Sequence, residues 1–495
     1  MRLRLWIIAL LACLGCLARA GTIYVDAGNP NCPGSGSLPD PFCKIQDGIN
    51  AAQPGDTVCV NRGTYVENLD FLGKAIRVVA TYGPAQTIID GNQAAPVVTF
   101  QNGETLASSL EGFTITNGST PFGGAGIFIS GASPTILGNT IAANRSTGSG
   151  GGVGCVSGSQ AVLRQNRILS NYCNRAGAGV YVVGSSPRIE SNWIEGNYGA
   201  QIGGGIGMYQ ATPTIQCNVI IANQTFFGGG GIGVESSSTA VAQSNTISGN
   251  TAPNGGSLFV GFSSSLTAIN GIYWSNNGAG ETYRSASGTL SISYSDVSGG
   301  YPGSGNLNVS PSFRNAAAGD YRLDCTSPCV DAGTAVKPPG LPTFDQEQLD
   351  LRAIGRIDMG ADEMGLLWDL TGPPVVGGAP IAFRARAGSA QNGFRAEVFL
   401  SFQTGSLLNP LIIPNSGRRI LDLDPHGLFN LWLNLPPVLR QVPSLNGCAG
   451  ATTGLAVSLP AIVPVGINVH AAGFSWDPST GAIPSVTSPI TIVTQ

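Results

Sequence analysis

Between positions 164 and 198 the chain places Arg164, Arg167, Arg188, Glu190, Trp193, Glu195 and Tyr198 close together, with Tyr209 following. An aromatic ring flanked by guanidinium and carboxylate groups can hold a sugar: the ring contacts C–H faces and the charged groups bond hydroxyls. The plainer alternative is a surface ion pair plus a cation–π contact, each worth at most about 1 kcal/mol. A second charged group, Asp345, Glu347, Asp350, Asp358, Asp362 and Glu363 with Arg352 and Arg356, lies near the end of the middle region. Its spacing lacks the pattern of a calcium loop, so a salt-bridged cap is expected there and no metal site.

Chemistry by acid and base needs groups that reach one bond, and these are scarce. There is no Asp between Asp90 and Asp296, no Lys between Lys74 and Lys337, and the two His, His426 and His470, lie in the last quarter. The region 107–295 keeps Glu111, Glu190, Glu195, Glu235 and Glu281, with Arg145, Arg164, Arg167, Arg175, Arg188 and Arg284. No catalytic set and no cofactor is expected, although a Glu-based site on a loop stays open. The net charge of -4 gives no reason to expect a nucleic-acid partner.

Residues 1–20, MRLRLWIIALLACLGCLARA, have the basic start, apolar stretch and small-residue cleavage site of a secretory signal. A secreted or cell-surface location is expected, periplasmic or outer-surface included. No later apolar run is long enough to span a membrane. In an exported chain cysteines pair; Cys325 with Cys329, across a Ser-Pro turn, is the favoured pair, and Cys32 and Cys43 are the next candidates. Cys155 falls in an apolar column and is expected to be a buried thiol, Cys173 falls in a turn, and Cys217 precedes Asn218 without a clear place.

What positions all of these residues is a repeat. Asn139, Asn166, Asn192, Asn218 and Asn245 recur at steps of 27, 26, 26 and 27, and Asn144, Asn171, Asn197, Asn223 and Asn250 follow five residues behind. Between them stand Ile141, Ile168, Ile194, Ile220 and Ile247, and glycine runs precede apolar pairs such as Val180/Val182 and Ile206/Met208. The alternation is that of short strands, and the period is that of a stacked architecture. Three strands and three turns per coil give a parallel β-helix whose asparagines bond their counterparts above and below. Such an amide left unpaired inside would cost more than its bond is worth.

The motifs TIYVDAG (22–28), PGDTVCVNRGTYVENLDFLGKAI (54–76), LEGFTITNG (110–118) and the glycine-run units resemble the right-handed parallel β-helix, or pectin-lyase-like, superfamily. The resemblance implies a right-handed coil and a polysaccharide-related background, yet no catalytic residue of its lyases or galacturonases has a matching position. DYRLDCTSPCVDAG and residues 345–363 resemble the "choice-of-anchor Q" type ending of exported bacterial β-helix proteins.

The expected organisation is an all-β chain: a signal at 1–20, an N-terminal strand and capping helix at 21–56, a parallel β-helix at 57–310, its cap at 311–364, and a β-sandwich-like domain at 365–495. The expected role is an exported, non-catalytic surface protein that binds polysaccharide or cell-envelope material. Two alternatives stand beside it: a lyase or glycoside hydrolase with a non-standard site, and a structural or adhesin-like component.

Overall fold

The computed structural model describes residues 21–324, 326–334 and 357–362, together with short strands between 368 and 493. The chain divides near 309/310 into two units. In the first unit one coil repeats. Val180–Val183, Arg188–Glu190, Trp193–Glu195 and Tyr198–Gly199 are successive strands, and a glycine-rich loop leads to Ile206–Tyr209, which lies on Val180–Val183. Stacking the coils builds four parallel sheets of eleven, ten, nine and five strands. The five-stranded sheet, made of two-residue strands, was not expected from the repeat. It turns three strands per coil into four over part of the solenoid, and Tyr172–Cys173 is one of its strands where the sequence suggested a turn.

Side chains alternate across each strand, so one of every two faces the solenoid interior. Ile136, Leu163, Ile189, Ile215 and Ala242 lie in register down one column, and Ile141, Ile168, Ile194, Ile220 and Ile247 down another. All ten are buried completely. Cys155 takes its place in a third column between Ile129 and Val182. Burial there pushes its thiol up to about 12, so it stays protonated and inert at neutral pH.

Both asparagine series form ladders at the corners between sheets. In the first, each Nδ2 donates to the Oδ1 of the next coil's asparagine, at 3.2, 3.0, 3.0 and 3.0 Å from Asn139 to Asn245. That oxygen also accepts the preceding asparagine's backbone N–H, as Asn192 Oδ1 does from Asn166 at 2.9 Å. The second ladder runs from Asn144 to Asn250 and one rung further, to Asn276. It ends where Asn276 donates its N–H and Nδ2 to the two oxygens of Glu281, at 3.0 and 2.7 Å. The first ladder stops at Gly271, which faces Asn245 without a side chain. Tyr273 fills the vacant space, and its buried hydroxyl has no hydrogen-bond partner.

The residue before each ladder asparagine has a left-handed backbone, including Gln165, Ser191, Cys217 and Ser244 in one series and Ala143, Ser170 and Ala222 in the other. That gives Cys217 its place. Glycine is instead indispensable in the runs: a Cβ on Gly205 would lie 2.7 Å from both Gly231 O and Ile220 Cγ2.

The N-terminal end is covered by the helix Ile45–Ala51, which buries Ile45, Gly48 and Ile49. Glu67 accepts the N–H groups of Ile45 and Gln46 at 2.8 and 3.0 Å, and Lys74 Nζ donates to the carbonyls of Ile49, Asn50 and Ala52. These satisfy helix-end groups that have no partner within the helix. Cys32 and Cys43 form a disulfide just before it. In the second unit Phe313–Asn315 and Asp320–Leu323 pair antiparallel, Leu323 N–H donates to Asp362, and Asp331 N–H donates to Asp358. Cys329 is buried. Cys325, the signal at 1–20, Asp345, Glu347, Asp350, Arg352, Arg356 and Glu363 lie outside the described residues, as does most of the expected sandwich at 365–495.

Candidate binding surface

The coil geometry decides which charged residues meet. In the eleven-stranded sheet Arg164 lies directly across from Glu190. Arg164 donates Nε and Nη2 to Glu190 Oε2 at 3.0 and 2.7 Å, and Arg188 approaches Oε1 at 3.3 Å. Glu190 is buried, its side chain 2% exposed, while the two arginines are about half exposed. A carboxylate held by two guanidinium groups is a neutralised anchor, not a free acid or base.

Ser191 and Asn192 turn the chain into the ten-stranded sheet, where Arg167 lies across from Trp193. The Arg167 guanidinium sits 5.8 Å from the indole centroid. Trp193 Nε1 donates to Glu195 Oε2 at 2.6 Å, which fixes the ring. Trp193 and Glu195 both point outward because Ile194 between them points in.

Gly196 and Asn197 form the next corner, and Tyr198 follows on the five-stranded sheet. There it stacks on Tyr172, with centroids 5.6 Å apart and planes at 11°, and meets Phe226 edge-on at 5.4 Å. Arg145 covers the other side of Tyr172 at 4.6 Å. Tyr209 stands elsewhere, on the nine-stranded sheet against Tyr181. The sequence candidates therefore fall on three successive faces around two ladder corners, and Tyr209 does not join them.

Arg145, Tyr172 and Phe226 were missed as members of this surface. A signal for the first two was present: Arg145, Tyr172 and Tyr198 each follow a second-series asparagine by one residue. Phe226, in a loop, follows no such rule. Among the described residues no group of His, Cys, Asp and Glu is placed to hold a metal ion, and no helix is long and apolar enough to cross a membrane.

Residues 87–252 match the family described as "Right handed beta helix region". No curated protein sequence matches the chain. Among solved structures, the pectate lyase Pel9A is similar over 70% of this chain and 97% of its own, with 14% identity and a TM-score of 0.41. A rhamnogalacturonan lyase is similar over 59% and 90%, with 14% identity and a TM-score of 0.36. A GH136 lacto-N-biosidase from Eubacterium ramulus is similar over 58% and 68%, with 9% identity and a TM-score of 0.22. The solenoid is a right-handed parallel β-helix.

Proposed function

We propose that this is an exported, non-catalytic β-helix protein whose outer faces hold polysaccharide or cell-envelope material. The observation that carries this reading is the Arg167–Trp193–Glu195 arrangement. An aromatic ring is held by its own N–H on a strand paired on both sides, a guanidinium lies over it, and both groups project outward from the same sheet. Aromatic side chains lose little conformational freedom on binding and supply large contact areas. Glu190, the most enclosed carboxylate of the surface, is tied to two arginines, which argues against an acid or base role for it. The stretch at 1–20 would direct export, and the segment resembling a choice-of-anchor Q ending would serve attachment.

A glycan array with the purified protein and Trp193→Ala tests the reading. Binding to polysaccharide that falls at least about tenfold on removing the indole is expected, as for an interface centre. Undiminished binding, or release of reducing ends or unsaturated products from any glycan, would overturn it.

A further inference from the structure

We infer that the outer face of the ten-stranded sheet, over the three coils of Val219, Thr246 and Ile272, is a docking groove for a segment of this same chain, Gly340–Gln346, with Leu341 and Phe344 as its apolar anchors. Such docking does not depend on what the solenoid binds.

The outward positions of this sheet change character along the stack. Thr140 and Ala142, Arg167 and Leu169, and Trp193 and Glu195 are all at least partly exposed. On the next three coils the same positions hold Val219 and Ile221, Thr246 and Ser248, and then Ile272, and every one of these is buried. Val219, Ile221 and Ile272 are 4, 3 and 0% exposed, yet none belongs to the apolar core inside the solenoid, where Ile220, Ile247 and Tyr273 take the inward positions. Neighbours on one outer face leave each other's tips open, as Leu169 and Trp193 do. A layer of chain therefore lies over these coils. The burial is complete within a single chain, so a second copy is not what supplies it.

The groove selects its cover. Trp193 bounds it at one end and Trp274 at the other. Across the corner, in the eleven-stranded sheet, Gln216 is 1% exposed and its Oε1 has no hydrogen-bond partner. Aromatic rings, aliphatic side chains and one unmet acceptor suit an extended peptide with few backbone donors to leave unpaired. Proline-rich segments dock in aromatic-lined grooves in this way, because proline has no N–H and a fixed backbone angle. Residues 338–346 read PPGLPTFDQ, and of the chain beyond residue 310 Gly340–Gln346 alone groups with the first unit. The stretch that carries them leaves at Thr334 and returns at Ile357. These ends are tied together: Gly333 N–H donates to Ile357 O at 2.8 Å, and Ile357 N–H to Thr334 O at 3.1 Å. Half of that stretch, fully extended, reaches about 35 Å, whereas three coils span about 10 Å of the stack.

Two measurements on the full chain after residue 20 test this. In the first, Phe344 is replaced by the photoreactive analogue benzoylphenylalanine, and the cross-linked peptides are mapped by mass spectrometry. Adducts within one chain on residues 219–221, 246–248 or 272–274 are expected. In the second, hydroxyl-radical footprinting compares the unaltered chain with Leu341→Asp/Phe344→Asp. Oxidation of Ile221, Ile272 and Trp274 should rise several-fold in the variant, while Tyr181 on the nine-stranded sheet stays as it was.

Adducts that fall elsewhere, that form between chains, or that do not form at all overturn the inference. Equal oxidation of Ile221 and Ile272 in the two proteins also overturns it. A variant oxidised throughout has lost its fold, and the cross-link, which leaves the segment intact, then decides.

Discussion

A ladder asparagine is the residue on which the fold depends most. Asn192 accepts two hydrogen bonds from Asn166 and donates to Asn218 and to the carbonyl of Leu163, at 2.8 to 3.0 Å, with its side chain buried. Asn192→Ala strands several of these groups in the interior, and each unmet buried group costs about 1–3 kcal/mol. A loss of about 3 kcal/mol in urea unfolding is expected, and a loss under about 1 kcal/mol would show that the rungs do not support one another. Tyr273 is the opposite case. Its hydroxyl is fully buried and unpaired, so Tyr273→Phe should leave stability equal or raise it by up to about 1 kcal/mol. A clear fall in melting temperature would mean that the hydroxyl has a role. The asparagines were legible in the sequence because a ladder needs the same residue at every step. Tyr273 was not, because it is an exception forced by Gly271, and only the register shows that the two share a place.

At the scale of the strand and its corner, two kinds of turn position carry opposite expectations. The residue before each ladder asparagine is left-handed whether or not it is glycine. A left-handed non-glycine residue costs about 1 kcal/mol, and Ala222, exposed with φ 52°, bears that strain. Ala222→Gly should therefore stabilise by about 0.5–1 kcal/mol, less the chain entropy that glycine adds. Gly205→Ala should do the reverse, since its Cβ would press on the next coil's backbone. Periodicity marked where the corners fall. It could not mark the two-residue strands such as Tyr172–Cys173, because so short a strand shows no alternation. For the same reason the Arg145–Tyr172–Tyr198 column was hidden although its spacing was regular.

Over the whole molecule, a solenoid passes strain mainly to its neighbours, because each coil touches only the coils beside it. Hydrogen exchange of Gly205→Ala should rise in the coils that contain Gly179, Gly205 and Gly231 and stay unchanged near Ile127–Ser130. Acceleration spread evenly along the chain would argue for one indivisible core. The same one-dimensional order made the fold readable at a distance: equivalent residues touch, so a column in the sequence is a column in space. Whether residues on neighbouring faces converge depends on the corner angles, and Tyr209, close in sequence, stands on another sheet from Trp193.

All of these conclusions, the binding surface included, depend on asparagines of consecutive coils touching one another in register. A double-mutant cycle on Asn192→Ala and Asn218→Ala, measured by equilibrium unfolding beside a cycle on Asn166 and Asn245, tests that contact directly. Adjacent rungs should show a coupling of about 1 kcal/mol or more, and the separated pair should be additive within about 0.5 kcal/mol. Additive behaviour of Asn192 and Asn218 would contradict the stacked register and, with it, the placement of Arg167 over Trp193.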